Sequence, residues 1–301
     1  MNIIIIGTSS IIEHHIKCLK HLKFNILAIC STNKKSSNHV ILKKKYKIKF
    51  CFNDLSKLFE FSNRQKNFSF FLAPRIIDTE KILLECLKFK KKIFVEKPIS
   101  INPKFFDNIK KYHNLIFVGY NRIFYKNVVY LSKKLSLKKN LFVEVSCAEN
   151  SKKEILTNSC HVVSILLKIF GHIKIINLTK NKNFIIAECN DVRKNLIILK
   201  FNFKSSQNFS IKIVDKKVIY QLKPLEILEI YNGMKIEKID NINFYRPKLI
   251  KQVNEYKLTN YKPGVLDQTK LFKNFVNGDT KIINDISFAK NVTSICNKIY
   301  G

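Results

Sequence analysis

Short apolar runs alternate with segments of helical periodicity along residues 2–118, and this alternation constrains the fold more than any other feature of the chain. The first run, residues 2–6, contains four isoleucines and stops at Gly7, as expected of a buried parallel strand. Residues 10–23 then carry apolar side chains close to the 3.6-residue period of a helix. Further strands are expected at 25–30, 68–72, 92–95 and 115–118, and further helices at 54–61, 78–89 and 102–112. Strands that alternate with helices of this length predict a doubly wound parallel sheet.

The pattern changes after residue 119. Residues 173–239 form short β-rich runs broken by polar pairs and by Asn232-Gly233, which is typical of antiparallel strands joined by tight turns. Helices are expected at 123–135, 159–170, 266–276 and 287–300. We therefore predict an α/β protein of two domains. Residues 1–119 form an N-terminal Rossmann domain with a doubly wound parallel sheet, and residues 120–301 form a C-terminal α+β domain with an open, mainly antiparallel sheet.

The formal net charge of the chain is +33, from 55 basic and 22 acidic residues. Only five of the basic residues are arginine, the side chain best suited to contacting phosphates and guanine edges. The lysines are spread along the whole chain and occur with abundant Ile, Asn and Phe and no Trp. We interpret this composition as the codon bias of an A+T-rich genome and expect no specific nucleic-acid partner. The positive surface should still favour anionic substrates.

The eight cysteines include no Cys-x-x-Cys pair, so we interpret them as reduced thiols of a cytoplasmic protein. The N-terminus lacks the basic segment of a signal peptide, and no apolar run reaches the roughly 20 residues that span a bilayer. We expect no membrane partner. His14, His15, Cys18 and His21 lie near one another in sequence, but their spacing matches no zinc signature, so we also expect no metal.

Five short motifs lie at characteristic distances from one another: Ile3–Gly7, Ala73-Pro74, Phe94-Val95-Glu96-Lys97-Pro98, Val118–Arg122 and Asn158–His161. Together they resemble the Gfo/Idh/MocA family, the relatives of glucose-fructose oxidoreductase and inositol dehydrogenase. The resemblance is clearest over residues 1–171. It implies an NAD(P)-dependent oxidoreductase that transfers a hydride between the nicotinamide and a carbohydrate hydroxyl or ketone. Its sugar would be a small molecule that lies on the open face of the β-rich domain, and an anionic or nucleotide-linked sugar would suit the positive charge.

The resemblance places the cofactor at the end of the first strand, where the family has the sequence G-x-G-x-x-G. The corresponding residues here are Gly7, Thr8, Ser9, Ser10, Ile11 and Ile12. Only the first glycine is kept, although the Ser9 hydroxyl can still point at a phosphate, and Ile12 requires looser packing between helix and strand. The alternative is that Gly7 simply ends a strand. The surrounding alternation of strand, helix and strand favours cofactor binding.

The segment after the second strand bears on the choice of cofactor. Its residues are Ser31, Thr32, Asn33 and Lys34, with no carboxylate. NAD-binding proteins usually place an acidic residue there, whereas NADP-binding proteins offer hydroxyls and cations to the 2′-phosphate. We therefore favour NADP(H), with NAD(H) as the alternative. By resemblance, Ala73 and Pro74 border the path from adenosine to nicotinamide, and Arg75 could add a phosphate contact.

Lys97 is the catalytic residue that the resemblance implies. It would lie beside the nicotinamide and exchange a proton with the reacting hydroxyl, with Glu96 directed towards the nicotinamide ribose and Pro98 fixing the turn. A lysine that ends a parallel strand stands where ligands collect in such sheets, and partial burial would lower its pKa. The alternative is an ordinary surface lysine in a lysine-rich chain.

The family also carries an Asp-x-x-x-His pair on a helix of its second domain. Here His161 is the histidine, whereas Thr157 stands at the carboxylate position with Asn158 beside it. An uncharged partner cannot raise the basicity of the imidazole, so either Lys97 and His161 suffice or turnover is slow. His161 has a second interpretation, that it only caps an apolar helix.

Sequence leaves the role of one motif and the class of function open. Tyr120, Asn121 and Arg122 either contact the substrate or pack between domains. Because only the first glycine of G-x-G-x-x-G is kept, the chain could also be a non-catalytic dinucleotide-binding or regulatory protein. Net charge alone motivates a nucleic-acid binder.

Apolar side chains on both faces of residues 196–199 predict a homodimer or homotetramer through the exposed face of the second sheet.

Overall fold

The computed structural model describes residues 1–279 and 285–301. The chain forms two compact units. The first unit contains Met1–Phe124 and Gly264–Asn297, and the second contains Tyr125–Pro263 and Lys298–Gly301. The sequence-based division at residue 119 assigns residues 264–297 to the second domain, whereas here they lie in the first unit. The boundary at residue 119 stays a prediction.

The first unit contains a six-stranded parallel sheet in the order β3-β2-β1-β4-β5-β6. Its strands are β1 (Asn2–Ile6), β2 (Asn25–Cys30), β3 (Phe50–Phe52), β4 (Phe68–Leu72), β5 (Ile93–Glu96) and β6 (Ile116–Gly119). The strand order reverses between β1 and β4, and in open sheets of this kind ligands bind at that point, outside the carboxyl ends of the strands. The predicted doubly wound parallel sheet is confirmed.

Five helices connect these strands: α1 (Ser10–His21), α2 (Asn38–Tyr46), α3 (Leu55–Asn63), α4 (Ile76–Leu87) and α5 (Phe105–Ile109). Two short 3₁₀ turns follow, at Lys110–Tyr112 and Asn121–Phe124. The isoleucines of β1 are fully buried, because helices cover both faces of a parallel sheet. The rings of Phe71 and Phe94, on β4 and β5, stack with centroids 4.0 Å apart in this core.

The second unit begins with α6 (Lys126–Lys134), β7 (Phe142–Glu149), α7 (Glu154–Thr157) and α8 (Cys160–Phe170). Seven further strands follow: β8 (Ile173–Lys180), β9 (Phe184–Asp191), β10 (Leu196–Phe203), β11 (Ser210–Asp215), β12 (Val218–Leu222), β13 (Ile227–Ile239) and β14 (Ile242–Asn254). A 3₁₀ turn at Glu255–Lys257 comes after the last strand. Nearly every residue of α8 is buried, as its apolar sequence requires.

The eight strands of this unit form one open sheet in the order β14-β13-β12-β11-β7-β10-β9-β8. Neighbours are antiparallel except β7 and β10, which are parallel. The predicted open, mainly antiparallel sheet is confirmed. The expected meander is interrupted at its centre, because β7 lies between β10 and β11, and a parallel pair needs a crossover rather than a hairpin.

Two helices complete the chain: α9 (Val265–Val276) and α10 (Ile286–Tyr300). Phe272 of α9 packs edge-on against Phe94, with ring centroids 5.5 Å apart. Thr293 of α10 donates a hydrogen bond to the backbone oxygen of Ser100 at 3.3 Å. These contacts explain why α9 and most of α10 lie in the first unit.

Candidate functional site

The turn after β1 is built around Gly7. Its φ is +109°, a conformation that side chains strain to adopt. A Cβ at this position would lie 2.1 Å from the backbone oxygen of Ala73, which follows β4. The Gly7 N–H also donates to the Cys30 oxygen at the end of β2, at 2.9 Å. Only glycine therefore fits, and the predicted cofactor residues after β1 and β4 meet where the strand order reverses.

The N-terminus of α1 opens next to this turn. Ser9 is the N-cap residue, but it makes no side-chain capping hydrogen bond within the described part of the chain. Its hydroxyl instead donates to the Ala73 oxygen at 3.3 Å. The first N–H groups of a helix carry partial positive charge and favour an anion such as a pyrophosphate. Ile12, at the position of the third glycine of G-x-G-x-x-G, is only 1% exposed and belongs to the apolar core.

The loop after β2 is folded by Ser31. Ser31 is buried, and its hydroxyl accepts the Asn33 N–H at 3.2 Å and donates to the Asn33 oxygen at 3.0 Å. Ser31 therefore shapes the loop, while Asn33 and Lys34 are exposed and Thr32 is half-buried. The contact of these four residues with a cofactor stays a prediction.

The carboxylates nearest this loop in sequence, those of Glu13 and Asp54, already accept hydrogen bonds from other groups of the protein. No acidic residue occurs between Glu13 and Asp54. Glu13 contacts Lys45 Nζ at 2.5 Å and the Tyr46 hydroxyl at 2.8 Å. Asp54 caps α3, and the backbone N–H groups of Lys57 and Ser56 lower its pKa, with Lys34 adding a smaller effect. The loop thus offers hydroxyl, amide and ammonium groups, which suit a phosphate.

Two cavities adjoin these residues in the first unit. One, of about 250 Å³, is lined by Thr8, Ser9, Ser10, Glu13 and Asn38, among others. The second, of about 360 Å³, is lined by Thr32, Leu55, Phe59 and Asp78, among others. Arg75, at the start of α4, is exposed and pairs with Asp78 at 2.9 Å.

A buried hydrogen bond fixes the segment after β5. Nε2 of His15, on α1, lies 2.6 Å from Oε1 of Glu96, which ends β5. The His15 ring is fully buried and packs 4.9 Å from the Phe71 ring. The other Glu96 oxygen accepts the backbone N–H of Lys97 at 3.1 Å. A Cβ on Gly119 would lie 3.1 Å from this carboxylate, so glycine at the end of β6 leaves room for it.

Lys97 leaves the sheet directly after Glu96 and is half-buried. The Lys97–Pro98 peptide bond is cis. Tyr120 and Asn121 are buried in the first unit, and the Tyr120 ring packs edge-on against Phe288, with centroids 5.5 Å apart. Burial of this kind supports a packing role for Tyr120, and its contact with a substrate stays a prediction.

In the second unit, the predicted sugar residues lie around the junction of α7 and α8. Thr157 ends α7 and is half-buried, Asn158 is exposed, and His161 is half-buried in the first turn of α8. The backbone N–H of His161 donates to the backbone oxygen of Asn158 at 3.0 Å. The Ser164 hydroxyl donates to the His161 oxygen at 2.7 Å. Thr157, Asn158 and His161 are therefore neighbours within one short segment.

Glu149 is a carboxylate that sequence reasoning missed. It ends β7, is 3% exposed, and accepts hydrogen bonds from the Ser159 hydroxyl and from Asn158 Nδ2, the latter at 2.9 Å. Burial raises its pKa to about 7, against the lowering effect of these two hydrogen bonds, and Glu154 raises it further. A signal was present in the sequence, because Glu149 falls in the same alternating phase as the buried Val143, Val145 and Cys147.

The class of domain follows from the first unit. A parallel sheet in this order, a glycine turn at its reversal and an open helix N-terminus define a dinucleotide-binding Rossmann domain. Residues 1–120 match the Gfo/Idh/MocA oxidoreductase family, described as having an NAD-binding Rossmann fold. The resemblance predicted from the sequence is confirmed by this match.

Solved structures share the fold of the whole chain. A dehydrogenase from Chromobacterium violaceum has a TM-score of 0.80 and 11% identity, over 99% of this chain and 94% of its own. The dehydrogenase MviM from Clostridium difficile has a TM-score of 0.76 and 17% identity, over 99% and 98% of the two chains. UDP-N-acetylglucosamine 3-dehydrogenase GnnA from Acidithiobacillus ferrooxidans has a TM-score of 0.74 and 11% identity, over 99% and 96%. At these identities the likeness shows the fold.

Among curated proteins, none matches the sequence. Within residues 1–279 and 285–301, no helix combines the length and the apolar character needed to cross a bilayer.

Proposed function

We propose that the protein is an NAD(P)-dependent oxidoreductase that acts on a carbohydrate hydroxyl or the corresponding ketone. The observation that carries this proposal is the cluster at the carboxyl ends of β1, β4 and β5. There the Gly7 turn brings the end of β1 so close to Ala73 that a Cβ would collide with the Ala73 oxygen, and the buried pair of His15 and Glu96 holds the segment that carries Lys97. When bound, the nicotinamide supplies or accepts the hydride.

Within this proposal, Lys97 handles the proton. Its Nζ takes the proton of the substrate hydroxyl during oxidation and returns it during reduction. Glu96 orients this lysine through the backbone, because its carboxylate accepts the Lys97 N–H. The family resemblance also assigns His161 to the sugar, and Thr157, at the position of its usual carboxylate partner, brings no charge to it.

We further propose that NADP(H) is the preferred cofactor. The exposed Asn33 and Lys34, with the half-buried Thr32, form a loop that carries no carboxylate. NAD(H) is the alternative, because the matched family is described as NAD-binding. The net charge of +33 supports an anionic or nucleotide-linked sugar, and GnnA, which shares the fold, is named for UDP-N-acetylglucosamine.

A second candidate function is non-catalytic dinucleotide binding. It is favoured by the uncharged Thr157 at the family's carboxylate position. In either case we propose a cytoplasmic homodimer or homotetramer. The β13–β14 hairpin supports the oligomer, because its apolar side chains are widely exposed, for example Ile236 at 60% and Tyr245 at 63%.

Lys97→Met separates the two functions. Turnover of UDP-N-acetylglucosamine or of a mixed sugar pool with NADP⁺ should fall roughly 100-fold or more, because the proton acceptor is lost. Cofactor affinity, followed by fluorescence titration, should be nearly unchanged, since Lys97 does not hold the phosphates. Lys88→Met makes the same change at an exposed lysine of the first unit and should leave both quantities as they are.

Retention of the parent rate in Lys97→Met would refute the catalytic assignment. Cofactor binding by the parent protein without turnover of any sugar would favour the non-catalytic function. Thr157→Asp is the companion variant, and it should keep or raise activity if the site runs the chemistry of the family.

A further inference from the structure

The buried end of β7 contacts the exposed segment that carries the predicted sugar residues. Glu149 lies under the junction of α7 and α8 and is almost completely buried. Asn158 and Ser159, both at this junction, direct their side chains to it. One carboxylate therefore positions two consecutive residues, which are separated from His161 only by Cys160.

The contact decides how the Asn158 amide is oriented. An ionised carboxylate only accepts hydrogen bonds, so Asn158 must turn its NH₂ group towards Glu149. The observed contact joins Nδ2 to Oε2 at 2.9 Å. Because Asn158 is exposed, its Oδ1 then faces outward as an acceptor. Sugar hydroxyls are donors that such an oxygen can bind.

We propose that Glu149 is the positioning residue of the sugar site, holding the Asn158 amide so that Oδ1 accepts a hydrogen bond from a hydroxyl of a polyhydroxylated ligand. This inference rests on the proposed function. It also accounts for Thr157: the acceptor that the family places at that position is supplied one residue later, and the negative charge lies beneath it on β7. The residues that bind the sugar then differ from those of the family, while the kind of hydrogen bond is retained.

The protonation state of Glu149 controls this arrangement. A protonated carboxyl can donate a hydrogen bond, which allows the Asn158 amide to rotate and present NH₂ instead of oxygen. Glu154, on α7, is the neighbouring charge that raises the pKa of Glu149. On β7 itself, burial raises the pKa of the Cys147 thiol well above its usual range, so it stays neutral. Lys204, beyond β10, donates its backbone N–H to the backbone oxygen of Glu149 at 2.8 Å and not to its carboxylate.

The raised pKa of Glu149, about 7, sets the direction of the effect. Above that pH the carboxylate is ionised and Asn158 presents an acceptor. Below it the carboxyl is protonated and the outward acceptor is lost. Hydroxyl binding at Asn158 should therefore strengthen as pH rises through neutrality.

The full-length protein labelled with ¹⁵N-asparagine provides the test. The side-chain amide resonance of Asn158, assigned by its loss in Asn158→Ser, should shift between pH 5.5 and 8.5 with a midpoint near the Glu149 pKa of about 7. The shift should disappear in Glu149→Gln. Glu144→Gln is the matched control, because Glu144 lies on the same strand but contacts Lys200, and it should preserve the shift.

A resonance that does not move with pH in the parent protein would overturn the inference, and so would an unchanged titration in Glu149→Gln. The parent titration needs no substitution, so the test holds even if Glu149→Gln does not fold. Kinetics with UDP-N-acetylglucosamine as the probe add a second readout: Glu149→Gln should raise KM roughly tenfold at pH 8 and change kcat less.

The two levels of proposal fail differently. If the resonance behaves as expected but the parent protein oxidises no sugar, the proposed function is wrong and the Glu149–Asn158 pairing stands. If the parent protein oxidises the probe and Glu149→Gln keeps the parent KM at pH 8, the function stands and the inference is wrong.

Discussion

The two units build their candidate sites from different materials. In the first unit, the turn at Gly7 is made by backbone: a positive φ, a carbonyl oxygen of the adjacent strand end and the N–H groups of α1. In the second unit, the segment before His161 is held by side chains that converge on Glu149. A site made by backbone tolerates substitutions as long as the turn keeps its conformation. In a site made by side chains, the charged residue can lie on a different helix or strand.

The substitutions in this chain illustrate the difference. Two of the three fingerprint positions are Ser9 and Ile12, yet the turn still closes on Ala73, because the close backbone approach is made at Gly7 and the Ser9 hydroxyl donates to the same carbonyl oxygen. In the second unit, Thr157 stands at the position that the resemblance assigns to a carboxylate, and a buried carboxyl group of that region lies on β7 at Glu149.

The largest effect should come from Gly7→Ala. The new Cβ would lie 2.1 Å from the Ala73 oxygen at a φ of +109°, so strain and overpacking together should lower the free energy of unfolding on the order of 3–5 kcal/mol. Denaturant unfolding measures this change, and dinucleotide affinity should fall with it.

Gly278→Ala isolates the backbone-strain part of that effect, so the difference between the two variants gives the steric part. Gly278 has a nearly equal φ of +107°, but its added Cβ would meet nothing within 4 Å among the described residues. It should show only the backbone strain, on the order of 1–3 kcal/mol. Equal losses in the two variants would contradict the claim that the approach of Ala73 defines the turn.

A smaller effect is expected in the second unit, from Glu149→Gln. The pKa of Glu149 is raised from 4.5 to about 7 in the folded protein, so its contribution to stability is fully present below pH 4.5 and is lost as pH rises towards 7. The loss should amount to about 3 kcal/mol in the free energy of unfolding. Glu149→Gln should remove this loss. Between acid conditions and pH 8, the free energy of unfolding of the variant should therefore fall less than that of the parent protein.

Unfolding of the parent, Glu149→Gln and Glu144→Gln between pH 4 and 8 provides the measurement. Lys200 lowers the pKa of Glu144, so its contribution has the opposite sign: it is present above the unfolded pKa and lost in acid. If Glu149→Gln and the parent protein show the same pH dependence, the carboxylate at the end of β7 is not the perturbed group.

The first unit was largely predictable because its signals are local. The strands at residues 25–30 and 68–72 coincide with β2 and β4. The helix α2 was missed, since only His39 and Leu42 are buried in its nine residues and the sequence shows no apolar stripe. The position of α9 was also hidden, because its packing on Phe94 depends on contacts far apart in sequence.

The candidate site was predictable in its parts but not in its pairings. Glu96 was identified from a motif, yet its hydrogen bond to His15 joins residues 81 positions apart. Glu149 carried the phase of a buried residue, but sequence gives no sign of which helix covers it. Pairings of this kind depend on how strands and helices pack, and local periodicity does not encode them.

The central claim is that the first unit binds a dinucleotide at the Gly7 turn and prefers the phosphorylated form. Titration of the parent protein with NADPH and with NADH at one ionic strength tests it most directly. We expect NADPH to bind at least about tenfold more tightly, a difference of about 1.4 kcal/mol that one charge-assisted contact can supply. Ser31→Asp should reverse the preference by placing a carboxylate in the loop after β2. Equal affinities, or tighter binding of NADH, would contradict the preference, and failure to bind either dinucleotide would contradict the claim itself.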